Sequence, residues 1–232
     1  MTMQTVTFRI WRFKAAQIDP PQFQDFKLSV EANMSVLEGL EKIRQEQDQT
    51  LMYRHSCHHA SCGTCACKIN GRERLACITP IKDLPARPIT LTPLDGFASL
   101  GDLVVDMHRF YKNLSADWSY LRESDHPGPS RAPREVKPFM RFENCVECGA
   151  CVSACPVTPE SEKFMGPAAL AALHDELEKS PAKAADLLSL AGGSRGVRWC
   201  KSALRCSQVC PTAVYPARHI AELRRRGERS TK

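Results

Sequence analysis

Between Cys145 and Pro156 the chain reads C-V-E-C-G-A-C-V-S-A-C-P, and from Cys200 to Pro211 it reads C-K-S-A-L-R-C-S-Q-V-C-P. The first run has the C-x2-C-x2-C-x3-C-P spacing that wraps a cubane iron–sulfur cluster. The second keeps that spacing but carries Ala203 where its second ligand should stand. In paired runs of this kind the fourth cysteine of each ligates the other run's cluster. By that rule Cys145, Cys148, Cys151 and Cys210 hold a complete 4Fe–4S cluster. Cys155, Cys200 and Cys206 remain, and with Ala203 unable to ligate they hold a 3Fe–4S cluster. Such centres carry electrons, and the protein's part is to position and tune them.

A third site precedes these two. Cys57-x4-Cys62-x2-Cys65 is the plant-type spacing, which needs a distant fourth cysteine to bind 2Fe–2S; Cys77 supplies it. Gly63 lets backbone amides approach the cluster without a side chain in the way. Cys67, two residues past Cys65, is surplus and reads as a buried structural thiol. His55, His58 and His59 flank the loop, but four well-spaced cysteines make mixed His/Cys ligation unnecessary. Zinc is a poor rival, because tetrahedral zinc sites pair two short knuckles rather than one long wrapping loop.

The twelve cysteines among 232 residues are therefore metal ligands for the most part, not a disulfide framework. The N-terminal stretch lacks the apolar core of a signal peptide, so a reducing, cytoplasmic compartment is expected. No stretch approaches the roughly 20 apolar residues that span a bilayer. The net charge of +6 lies largely in Arg218, Arg224, Arg225, Arg226, Arg229 and Lys232. That tail reads as a solvated helix or as contact with an anionic surface. Nucleic-acid binding is not indicated, because no recognition motif accompanies the charge.

Elements to hold these loops follow from pattern. Val6, Phe8 and Ile10 alternate with polar residues as a half-buried strand, and residues 26–32 supply its hairpin partner. Ser35 with Glu38 forms a capping box opening a helix whose apolar positions are Val36, Leu37, Leu40 and Ile43. Residues 67–77 read as a hairpin around Asn70-Gly71, and Ile89–Thr92 as a last strand. Phe97 to Tyr111, with Leu103, Val104, Met107 and Phe110, reads as a further helix. The second half is helical: one helix begins at Gly166-Pro167, another at Ser180-Pro181 ending at Gly192-Gly193, and a third after Pro216. The proline-rich stretch 123–138 reads as a linker between a domain over 1–122 and one over 139–232.

One plant-type site followed by 4Fe–4S and 3Fe–4S sites, in this order and length, resembles the iron–sulfur subunit of succinate dehydrogenases and fumarate reductases. Leu103–Tyr111 and Lys163–Ala169 are similar to segments of that family. The resemblance implies an α+β chain, an N-terminal β-grasp 2Fe–2S domain joined to a C-terminal all-α dicluster ferredoxin domain. It also implies a partner flavoprotein carrying FAD, membrane anchor subunits with quinone, and a peripheral place on the cytoplasmic side of the inner membrane. Electrons would pass between flavin and quinone through 2Fe–2S, 4Fe–4S and 3Fe–4S. The far end departs from the family: Val157–Lys163 lacks the usual tryptophan, and Lys201 stands where histidine is frequent. Trp199 and Lys201 are the residues expected nearest a quinone, and the nature of the acceptor stays open. Two other readings are a free-standing ferredoxin-like carrier and the same module serving another flavoprotein or a heterodisulfide-reductase-like complex. A carrier should be smaller and acidic, and this chain is neither.

Overall fold

A computed structural model describes residues 3–31, 33–84, 88–114 and 142–230. These fall into two compact units, Met1–Met107 with Val146–Ala150, and His108–Cys145 with Cys151–Lys232. The expected linker over 123–138 lies outside the described residues.

In the first unit the alternation seen from Val6 extends into a long strand, β1 (Met3–Lys14), paired antiparallel with β2 (Ile18–Glu31). Helix α1 (Val36–Glu46) opens on the capping box, with Ser35 accepting from the Glu38 amide and Glu38 accepting from the Ser35 amide. Its apolar stripe of Val36, Leu37, Leu40 and Ile43 is buried. The hairpin β3 (Ala66–Ile69) and β4 (Arg72–Leu75) turns through Asn70 and Gly71, both with positive φ. That conformation is what a two-residue Asn-Gly turn requires. With β5 (Ile89–Thr92) the sheet runs β2-β1-β5-β3-β4 and is mixed, β1 lying parallel to β5 and β5 antiparallel to β3. This is the expected β-grasp pattern, with α1 packed on Phe8 through Gly39.

Two features depart from the sequence reading. The segment read as a helix over 97–111 is instead a small hairpin, β6 (Ser99–Gly101) and β7 (Val104–Val105), and only α2 (His108–Tyr111) is helical. Leu103, Val104 and Val105 are all buried in succession, which no single helix face allows. Gly101 and Asp102 turn the chain there with positive φ. The second departure is Arg12, which continues the inward alternation of Val6, Phe8 and Ile10 and is 1% exposed. It pairs with Asp48 at 2.7 Å and with the fully buried Asp102 at 3.1 Å. Asp102 in turn accepts from the amides of Phe13 and Met52.

The second unit is helical, as expected: α3 (Ala150–Ser153, its first residue counted with the other unit), α4 (Gly166–Lys179), α5 (Ala184–Gly192), α6 (Arg205–Gln208) and α7 (Pro216–Ser230). Helix α7 packs along α4 and α5, burying Leu170, Leu173, Leu177, Ile220 and Leu223. No described helix is long and apolar enough to cross a membrane.

Between α4 and α7 sits a pair of imidazoles, His174 Nδ1 lying 2.9 Å from His219 Nδ1. Burial, then the neighbouring His219 and Arg226, push His174 down to about 4. Glu178 on its own helix and Glu222 on α7 face the same ring. The folded chain therefore holds His174 neutral where the unfolded chain, titrating near 6.5, would protonate it. Stability from this group is complete above about pH 6.5 and lost as pH falls towards 4, by on the order of 3 kcal/mol. Chemical denaturation at pH 7 and pH 5 should show the loss, and His174→Gln should flatten the pH dependence.

Candidate metal centres

The first centre is built on the loop between α1 and β3. Pairing of Ala66 with Leu75 closes the β3–β4 hairpin, and the Ala76 amide then donates to the Cys65 carbonyl at 3.2 Å. This brings Cys65, just before β3, against Cys77, in the short 3-10 turn Ala76–Ile78 after β4. Cys57 and Cys62 come from the loop itself. The Cys57 sulfur accepts from the amides of His59 at 3.5 Å and Ser61 at 3.2 Å. Thr64 Oγ1 lies 3.2 Å from the Cys62 sulfur. Although burial opposes it, hydrogen bonds from Thr64 and Cys57 draw the free Cys62 thiol down to about 6. Burial pushes Cys65 up to about 12, with the adjacent Cys77 contributing. A coordinating iron deprotonates such a thiol outright, so the two groups describe a pocket with polar donors on its loop side and an apolar floor. Cys67 is 3% exposed in that floor, also raised to about 12 by burial, and is a core thiol as expected.

Backbone conformation marks all the cysteine loops. Among the described residues, seven of the ten non-glycine positions with positive φ are His58, Ala60, Glu147, Ser202, Leu204, Ala213 and Tyr215. All lie between or just after cysteines of the three runs. Alternation of right- and left-handed residues turns successive amides to one side, making the concave nests that bind anions and iron–sulfur cores. Gly63 shares the conformation at φ 70°, and a Cβ there would meet the Val146 carbonyl oxygen at 2.3 Å.

In the second unit Cys145 and Cys210 pack against one apolar cluster of Phe142, Ala171, Ala172 and Val214. The Val214 amide donates to the Cys210 sulfur at 3.3 Å. Thr212 stands two residues after Cys210 as Thr64 does after Cys62, its hydroxyl 3.8 Å from sulfur. Cys155, Cys200 and Cys206 line a cavity whose wall also includes Ala203 and Lys201. Burial first, then the charges of Cys155 and Cys200, push Cys206 up to about 12. Two thiols close enough to act on a third, with a methyl group beside them, fit a cluster with three protein ligands. Trp199 is not part of this wall: it packs against the helical core and donates from its indole to the Ser194 carbonyl at 2.7 Å.

Two arginines hold the loops around that cavity. Arg224 donates to the carbonyls of Val197, at 2.8 Å, and Cys200, and to Ser202 Oγ at 3.1 Å. Arg109 donates to the carbonyls of Thr158 and Ser161, fixing the chain after Cys155. The basic tail is thus partly internal machinery, and Arg225 and Arg226 pair with Glu222 and Glu178. Sequence reasoning missed Thr64, Thr212, Arg109 and Arg224. The repeated Cys-x-Thr spacing was a signal for the threonines; nothing in the sequence marked the arginines.

These sites define an iron–sulfur electron-transfer protein with a ferredoxin-like domain and a dicluster domain. Residues 7–112 match the 2Fe-2S iron-sulfur cluster binding domain and residues 141–214 the 4Fe-4S dicluster domain. The fumarate reductase iron-sulfur subunit of Mycobacterium tuberculosis is 33% identical, the alignment covering 93% of this chain and 90% of that protein. The succinate dehydrogenase iron-sulfur subunit of Coxiella burnetii is 34% identical over 94% and 95% of the two chains. The fold is also that of a chain in the Mycobacterium smegmatis Sdh1 complex in the apo form, at 22% identity and a TM-score of 0.78, covering 100% and 99%. The chain belongs to the iron–sulfur subunits of the succinate dehydrogenase and fumarate reductase family, electron-transfer parts of an oxidoreductase complex. Members of this family carry 2Fe–2S, 4Fe–4S and 3Fe–4S clusters.

Gly63→Ala combines a left-handed backbone, disfavoured by about 1–2 kcal/mol for a residue with Cβ, with contact against the Val146 carbonyl. The variant should assemble less 2Fe–2S cluster, read as a loss of its EPR signal in the reduced protein at equal protein concentration.

Proposed function

We propose that this chain relays electrons between the FAD of a partner flavoprotein, which oxidises succinate or reduces fumarate, and a quinone held by membrane anchor subunits. Cys57, Cys62, Cys65 and Cys77 ligate 2Fe–2S. Cys145, Cys148, Cys151 and Cys210 ligate 4Fe–4S, an assignment that rests on spacing and the crossing rule. Cys155, Cys200 and Cys206 ligate 3Fe–4S. When bound, the three clusters supply the one-electron carriers, and the chain makes and breaks no substrate bond. A ferredoxin-type domain over 1–122, a linker over 123–138 and a dicluster domain over 139–232 complete this reading. The subunit works as a peripheral component on the cytoplasmic side of the inner membrane, held there by its partners.

The observation that carries the proposal is the cavity where three cysteines meet Ala203. The residues' own tasks follow from their surroundings. Backbone amides turned inward by left-handed residues hold thiolate charge in an apolar setting. Phe164 and Ile220 on the cavity wall keep water from its inner side. Lys201 lines the same cavity and is itself exposed, which puts an ammonium donor where a quinone carbonyl could accept. Family membership supports a complex over a free-standing carrier. Purification from native membranes should yield a flavin-containing complex with succinate:quinone activity, whereas a flavin-free monomer would contradict this reading.

Ala203 has its own test. The oxidised protein should give the EPR signal of a three-iron cluster, and Ala203→Cys should diminish it while raising iron content by one per chain. Two four-iron centres in the unaltered protein would refute the ligand assignment.

A further inference from the structure

Beside the 2Fe–2S loop, and distinct from its cysteines, three side chains converge. Glu41 comes from α1, and His55 and His58 come from the loop on either side of Cys57. His55 Nδ1 lies 3.1 Å from His58 Nε2, and each of these nitrogens lies 3.5 Å from Glu41 Oε1. No other group of three His, Cys, Asp or Glu side chains among the described residues meets in this way.

We propose that Glu41, His55 and His58 form a binding site for a divalent first-row transition metal of the Zn2+ type. The argument is geometric. Nitrogen and oxygen ligands about 2.0–2.1 Å from a tetrahedral zinc stand about 3.3 Å from one another. The three separations of 3.1, 3.5 and 3.5 Å bracket that spacing. Hydrogen bonding alone explains less: one proton satisfies the contact between the two imidazoles, and 3.5 Å to the carboxylate is long for a hydrogen bond. A single cation bonds all three atoms at once.

The donor set also fits the class of metal. Two imidazoles and a carboxylate suit zinc, nickel, copper or ferrous iron, whereas calcium and magnesium call for more oxygens. The ligands stand on supported elements. Glu41 projects from a capped helix whose other face is buried. The His55 ring stacks on Tyr53 with centroids 5.4 Å apart, and Arg44 covers Tyr53 from its side. His58 is turned back by its left-handed backbone at φ 61°. Side-chain exposures of 25%, 35% and 45% leave room for water as the remaining ligand. The three cluster sites leave this trio without a task, and it lies one residue from Cys57.

The test uses the full chain carrying its three clusters, so that the cluster-binding cysteines are already committed to iron. Titration with Zn2+ by calorimetry should show one saturable equivalent. Replacing a second-sphere partner typically weakens a metal site roughly 10–100-fold, so loss of a direct ligand in Glu41→Gln or His58→Asn should weaken binding at least roughly tenfold. Because His58 adjoins a cluster ligand, Glu41→Gln carries the decision, with unchanged cluster absorption and circular dichroism as the control. Co2+ added in place of Zn2+ should give a spectrum of nitrogen and oxygen ligation. Absence of saturable binding, equal affinity in Glu41→Gln, or thiolate-to-cobalt charge-transfer bands would each overturn the proposal.

Discussion

An iron–sulfur core with its thiolates is an anion, and placing it inside a protein is costly unless fixed dipoles replace the water it loses. This constraint governs the chain. The amides of His59, Ser61 and Val214 are aimed at cysteine sulfurs. Left-handed residues such as His58, Ala60, Ser202 and Leu204 let short loops turn their amides inward. Each such non-glycine residue is held against a cost of about 1–3 kcal/mol, which surrounding structure must offset. The scaffold is what makes that possible: a hairpin closes Cys65 on Cys77, and packed helices clamp the other cysteine runs.

The same logic explains a buried charge that the cysteines do not use. Arg12 occupies an inward position of β1 that alternation assigns to an apolar side chain, and Asp102 and Asp48 neutralise it. Removing one partner would leave the other buried and uncompensated, which typically costs about 3–5 kcal/mol. Asp102 also binds the amides of Phe13 and Met52, so the network ties β1 to the start of the loop that carries Cys57. A polar knot of this kind fixes register more sharply than a hydrophobic side chain would, since a slip of one residue would strand both charges.

Local signals were legible from the chain and distant ones were not. The capping box at Ser35, the Asn-Gly hairpin and the proline-initiated helix at Gly166 stand where the pattern puts them, because each is decided within a few residues. The cysteine spacings are local in the same sense. The helix expected over 97–111 failed because its apolar residues are buried by β1 and the chain around Met52, partners invisible to a periodicity count. Arg12 was unreadable since its burial depends on aspartates 36 and 90 residues away. Arg224 looked like solvated tail charge, yet it pins the Cys200 loop from 24 residues downstream. Glu41 and His58 have no sequence signature as a pair, because a helix and a loop separate them.

Cations gather at one of the cysteine sites. Around the three-cysteine cavity stand Lys201 and Arg205 on the wall and Arg224 bonded to the Cys200 carbonyl. Fixed cations stabilise the more negative, reduced form of a cluster and so raise its potential. Beside Cys57 stand Glu41, His55 and His58. A divalent cation held by Glu41, His55 and His58 would place positive charge beside the first site in the same way. Metal occupancy there and the driving force along the chain are coupled by simple electrostatics.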